Sequence, residues 1–170
     1  MRDNISICGS DEDDENLSNH ALEVAEQVGR LIAQRGGVLI CGGQGGVMKA
    51  ACKGCKEENG ITIGIMPYSK KESNEYVDVA IPTAIGNLRN YFVVKSGDVV
   101  IAIGGRWGTL SEVSFAMILN KPLILIKGTG GWVDEIAKGC LMQNVESTYY
   151  IVNSAEEAVD KAFEILGKKV

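Results

Sequence analysis

This 170-residue chain is short of the materials for metal centres and membrane spans. Its only histidine is His20, and Cys52-Lys53-Gly54-Cys55 is a lone CxxC with no second pair. Zinc ligation and dithiol chemistry therefore find little support, and no metal site is expected. The CxxC falls in a helical stretch, where residues three apart share a face, so burial as small apolar side chains is the simpler reading. No apolar run approaches the length of a membrane span. Met1-Arg2-Asp3-Asn4 leads straight into a strand pattern rather than a signal peptide. Basic residues are also scarce, with 17 Lys and Arg against 22 Asp and Glu for a net charge of −5. A broad nucleic-acid surface needs clustered Lys and Arg, so neither a nucleic-acid nor a membrane partner is expected. Five cysteines, an odd number, suggest reduced thiols and a cytoplasmic protein. Cys140 is counted among them. The acidic run Asp11-Glu12-Asp13-Asp14-Glu15 lacks the glycine and terminal glutamate of a calcium loop and reads as a solvated lead-in to a helix.

Glycine, by contrast, is abundant, with 21 residues. Two glycine-rich turns, Gly42-Gly43-Gln44-Gly45-Gly46 and Gly104-Gly105-Arg106-Trp107-Gly108-Thr109, each follow a short apolar run and precede helical spacing. A strand, a glycine turn and a helix start form an anion-binding device. The turn lets backbone N–H groups approach a ligand, and the helix start adds unsatisfied donors and partial positive charge. The pattern predicts strands over 5–8, 38–41, 61–66, 76–81, 98–103, 123–126 and 149–152. Helices are predicted over 17–33, 47–58, 87–96, 109–119, 132–138 and 155–166, with a polar loop over 68–75. Strict alternation of strand and helix implies one Rossmann-like α/β domain over residues 1–170, a parallel sheet with helices on both faces. Ligands in such folds bind outside the carboxyl ends of the strands. The dinucleotide fingerprint and the Walker lysine pattern are both absent. A small phosphorylated ligand is the expected partner.

Taken together, three segments resemble the LONELY GUY (LOG) family of nucleoside-monophosphate phosphoribohydrolases and the related molybdenum-cofactor carrier proteins. Cys8-Gly9-Ser10 resembles the family's first loop, and Gly42 to Met48 its glycine turn ending in Gly-Leu-Met. Gly105 to Glu112 resembles its Pro-Gly-Gly-x-Gly-Thr-x-x-Glu signature, with Arg89 at the family's distance upstream. Gly104 stands where that signature has proline, Arg106 where it has its second glycine, and Asn90 where plant-type members carry lysine. Arg89-Asn90 with Leu110-Ser111-Glu112 looks closer to the carrier-like branch.

The resemblance implies a homodimer and cleavage of a nucleoside 5′-monophosphate into free base and ribose 5-phosphate, with Arg89 and Glu112 as catalytic residues. It implies phosphate or nucleotide contacts at Gly9, Ser10, Gly42, Gly43, Gly45, Gly46, Met48, Asn90, Gly105, Arg106, Gly108 and Thr109. The alternative is a non-catalytic carrier or sensor for molybdopterin or a nucleotide-like ligand. No resident cofactor is expected on the hydrolase reading, and nothing in the sequence supports the lysine-decarboxylase label some members carry.

The residues themselves leave alternatives open. A carboxylate at Glu112 suits an oxocarbenium-like sugar cation. Thr109 to Glu112 also fits a capping box, with Thr109 as N-cap. Arg89 holds a phosphate or is a solvated helix-start arginine. Arg106 and Trp107 form a rim over a base or pterin ring, or are exposed turn residues. Trp132 reads as a core or interface anchor rather than a ligand stacker.

Overall fold

The computed structural model describes residues 1–139 and 149–167; Cys140 lies outside them. Seven strands form one parallel sheet: β1 (Asn4–Gly9), β2 (Val38–Cys41), β3 (Ile61–Met66), β4 (Val79–Pro82), β5 (Val99–Ile103), β6 (Leu123–Ile126) and β7 (Tyr149–Val152). Their order is β4-β3-β2-β1-β5-β6-β7. Among the described residues six α-helices flank the sheet: α1 (Asn19–Gln34), α2 (Gly46–Glu57), α3 (Asn90–Ser96), α4 (Trp107–Ile118), α5 (Gly131–Ala137) and α6 (Ala155–Gly167).

The central strands are apolar on both sides because both faces are covered. Ile5, Ile7, Val99, Ile101, Ile103, Ile124 and Ile126 pack under α1, α2 and α6. Cys8, Val100, Ala102, Leu123 and Leu125 pack under α3, α4 and α5. From β1 the chain runs outward to β4, then crosses back to β5 on the other side of β1. The reversal lies between β1 and β5, whose carboxyl ends align with Gly9 opposite Ile103. A crevice at such a switch point is where open α/β sheets bind ligands.

Several details differ from the sequence pattern. Helix α1 begins at Asn19, because the Ser18 side chain accepts the Ala21 N–H and caps it. No acid lies in its first turn, so the Asp11–Glu15 run does not serve that helix end. Strand β4 begins at Val79 rather than Tyr76. Just before it, Thr62 Oγ1 donates to Tyr76 O (2.6 Å) and Asp78 Oδ2 accepts the Thr62 N–H (2.9 Å), so side chains replace ladder bonds. A 3-10 turn over Gly86–Arg89 precedes α3, dividing the single helix predicted there. Within the expected 68–75 loop, Ser69 and Glu72 form a capping box around a short 3-10 turn.

Candidate functional site

The Gly9-Ser10 turn after β1, the 42–46 turn after β2 and the 104–109 segment after β5 converge above the switch point. They enclose a pocket of about 270 Å³. Ser10 ties the three together. Its carbonyl accepts the Val47 N–H (2.9 Å) and its hydroxyl oxygen accepts the Gly105 N–H (2.8 Å), which leaves the hydroxyl proton to donate. Thr129 holds the far side of the second turn, its Oγ1 accepting the Gly104 N–H (2.8 Å) and donating to Ile126 O (2.6 Å). Asn74 braces the first turn, its Nδ2 donating to Gly43 O (3.1 Å) and Gln44 O (2.8 Å).

Of the sequence-predicted residues, Gly9, Ser10, Met48, Arg89, Asn90, Arg106, Gly108, Thr109 and Glu112 line the pocket. Gly42, Gly43, Gly45, Gly46 and Gly105 shape it without lining it. A Cβ on Gly42 would stand 3.0 Å from Arg89 Nη2 and 2.8 Å from Met48 Sδ, so this glycine makes room for the guanidinium. Gly105 has φ +98°, and a Cβ there would meet Thr109 at 2.2 Å.

Helix α4 starts at Trp107 with Arg106 at its N-cap, two residues earlier than the pattern indicated. Thr109 is therefore the third residue of the helix rather than its cap, and Glu112 lies beyond the capping-box position. The capping explanation of Glu112 is removed. Arg106 makes no side-chain cap bond; its guanidinium pairs with Asp13 and reaches Asp14 at 4.0 Å. The first N–H groups of α4 have no intrahelical partners, and Gly108 and Thr109 of this first turn line the pocket.

Arg89 is buried, which removes the reading of a solvated arginine. Its Nε donates to Ile65 O (2.9 Å), Nη2 to Gln44 Oε1 (2.8 Å) and Nη1 to Asn90 Oδ1 (3.4 Å). These bonds aim a cation into the pocket, and burial lowers its pKa while Glu112 opposes that shift. Asn90 clips α3 to α4 through Nδ2 donation to Ser111 Oγ (2.8 Å) and Gly108 O (3.3 Å). Glu112 is buried at the pocket floor. Desolvation pushes its pKa up to about 7, against the pull of Arg89 and of a hydrogen bond with the Cys8 thiol. Its neutral form is thereby favoured over a much wider pH range than that of an exposed glutamate.

Sequence reasoning missed Asp11, Asp13, Gln44 and Asn87, which also line the pocket. The acidic run had the right signal but was assigned to the α1 terminus. It packs instead against both glycine turns, with Glu12 beside Gly45, Asp11 beside Gly46 and Asp13 paired with Arg106, so the pocket has the buried Arg89 cation and an acidic rim. Cys52 and Cys55 are buried, as the apolar reading of the CxxC expects. Burial raises the Cys55 thiol to about 12, which keeps it protonated.

Beside the pocket, Arg106 also borders a second, shallower cavity of about 300 Å³ with Gly105, Trp107, Gly131, Trp132 and Glu135. Trp132 is half-buried and lies against the exposed Trp107, ring centroids 5.2 Å apart at 54°. Among the described residues no group of three His, Cys, Asp or Glu side chains could hold a metal ion, and no helix is long and apolar enough to cross a membrane.

This geometry has counterparts. The chain is 40% identical over 123 residues to a protein of Archaeoglobus fulgidus, covering 72% of this chain and 79% of that one. It is 36% identical to the molybdenum cofactor binding protein of the phototrophic bacterium Rippkaea orientalis, with a TM-score of 0.88 over 98% of both chains. It is 30% identical to the molybdenum cofactor carrier protein of Chlamydomonas reinhardtii, with a TM-score of 0.83 over 99% of this chain and 100% of that one. The SLOG cluster4 family model matches residues 2–159, and the chain belongs to that family, in the Rossmann-like group of LOG-like and molybdenum-cofactor-carrier proteins.

Proposed function

We propose that this protein is a cytoplasmic binder and carrier of a phosphate-bearing cofactor of the molybdopterin type, built as one domain over residues 1–170. The observation that carries the reading is the convergence of Ser10, buried Arg89 and the start of α4 on one pocket. Backbone donors and a guanidinium suit a phosphate monoester. Gly9, Met48 and Gly108 give the phosphate close walls, and Thr109 supplies a hydroxyl. Asp11 on the rim can accept from ligand hydroxyl or N–H groups. The full-length likeness to two proteins named for the molybdenum cofactor favours a pterin phosphate over other monoesters. A Glu112 whose pKa burial pushes up to about 7 fits an anion site better than a standing carboxylate does.

Reducing conditions suit the four free, buried cysteines Cys8, Cys41, Cys52 and Cys55. Leu88, Phe92 and Ile118 are exposed around α3 and α4, and Tyr91 links Phe92 to Phe115 by edge contacts, so a second copy is the partner we assign to that face.

A second reading, nucleoside-monophosphate hydrolysis, is favoured by one observation: Arg89 and Glu112 share the pocket. There Arg89 would hold the phosphate and ionised Glu112 would stabilise the sugar cation, giving free base and ribose 5-phosphate. The deciding experiment purifies the protein without air and identifies any bound pterin by its oxidised fluorescence. In parallel, a panel of nucleoside monophosphates is assayed for free base. Bound pterin with no base release supports the carrier; base release blocked by Glu112→Gln supports the hydrolase; neither result refutes both.

A further inference from the structure

We propose that Trp107 and Trp132 form a stacking shelf for the planar nitrogen heterocycle of the ligand whose phosphate occupies the neighbouring pocket. The inference rests on the phosphate reading above and adds where the ring lies.

Three observations carry it. First, Trp107 is 73% exposed at the start of α4, and its indole contributes nothing to the apolar clusters under the sheet. Second, Trp132 is half-buried beside it, and its backbone N–H donates to Gly105 O (2.8 Å), which ties its main chain to the turn that also forms the pocket. The two indoles touch at a 54° tilt, too close for a ring to enter between them, and both border the cavity of about 300 Å³ on which a flat ring would lie. Third, Arg106 borders both cavities, and its pairing with Asp13 and Asp14 holds it between them. A molecule with an anion at one end and a flat ring at the other is the chemistry that two neighbouring cavities sharing Arg106 fit. Indole faces attract such rings without needing a particular base edge. Glu135 and Arg106 flank the shelf with an acceptor and a donor for polar atoms at the ring margin.

The chain has only two tryptophans, so its intrinsic fluorescence reports this shelf directly. Guanosine 5′-monophosphate and inorganic phosphate serve as probes, each titrated by fluorescence and by calorimetry. The nucleotide should quench the emission; phosphate should bind calorimetrically without quenching. Trp107→Ala should weaken the nucleotide at least about tenfold and leave phosphate affinity unchanged. Phosphate binding with no nucleotide quenching, or equal nucleotide affinity in Trp107→Ala, overturns the shelf while sparing the phosphate pocket. Failure of both probes to bind overturns the pocket and the shelf together. Emission that changes with protein concentration and not with nucleotide assigns the tryptophans to a protein contact and overturns the proposal.

Discussion

Glu112 should make the protein less stable as the medium becomes more alkaline, and Glu112→Gln should remove that dependence. The native carboxyl has its pKa raised by burial from 4.5 to about 7. Between those values the native state holds a proton that the unfolded chain has lost. Stability therefore falls as pH rises, because unfolding then releases the proton. The contribution of the neutral carboxyl is fully present below about pH 4.5 and is lost by the time pH passes about 7. A shift of this size corresponds to about 3 kcal/mol. Glutamine matches the neutral acid in shape and cannot ionise. Urea unfolding of both proteins at about pH 5, 6, 7 and 8 isolates the residue, since all other titrations cancel in the difference. The variant should gain on the wild type with rising pH by up to about 3 kcal/mol. An anion in the pocket should oppose ionisation further. Sulfate, a dianion across the range, should bind the wild type up to about tenfold more weakly per pH unit above 7 and the variant at constant affinity. A stability difference flat to about 0.5 kcal/mol would refute a perturbed Glu112, since a single linked group of this shift cannot hide within that margin.

Arg89→Ala should lower inorganic phosphate affinity roughly ten- to a hundredfold by calorimetry, and cost about 1–3 kcal/mol of stability because Ile65 O loses its donor. Gly105→Ala should destabilise by more than about 2 kcal/mol, or several degrees in a melting scan, because φ is +98° and Thr109 stands in the way. Gly108→Ala should instead hold or raise stability by about 0.5–1 kcal/mol while weakening phosphate, since the new methyl meets only Asn90 Nδ2 at 4.0 Å. Phe92→Glu should shift sedimentation toward monomer without lowering the melting temperature, because its ring is exposed on α3. If free base is released at all, AMP should exceed adenosine in kcat/KM by at least about a hundredfold, since the phosphate positions the sugar.

Most of the sheet was legible because its strands carry an unambiguous signal. Val99–Ile103 and Leu123–Ile126 are short apolar runs between glycine or proline breaks, and both are strands buried on two faces. The site was legible as two glycine turns because only a strand, a tight turn and a helix start place backbone donors together. What escaped were choices made by tertiary contacts. Thr109 has the chemistry of an N-cap, and nothing local distinguishes it from a third helical residue. The decision came from Ser10, which takes the Gly105 N–H, and from Trp132, whose N–H binds Gly105 O; together they let α4 begin at Trp107. A similar contact moved the acidic run: Asp13 is held by Arg106, 93 residues away in sequence. In both cases what local sequence lacked was a contact from another crossover of the sheet.

That pattern bears on how the chain differs from the signature it resembles. A proline at 104 would fix φ near −65°, whereas Gly104 has φ +61°, so this turn follows another path. Proline would also remove the N–H that Gly104 donates to Thr129 Oγ1. The second departure, Arg106 in place of glycine, adds a guanidinium where the turn meets the acidic rim. These changes belong together. The Thr129 bond anchors the altered turn to the segment that carries Trp132, and Arg106 links the same turn to Asp13. The result is a turn fixed at both ends, with Trp107 held outward between them. A hydrolase needs the sugar pressed against Glu112, but a carrier needs the phosphate gripped and the ring accessible for transfer. An exposed Trp107 beside a pocket with a buried guanidinium suits the second arrangement, and on the carrier reading proposed above the departures from the signature serve binding.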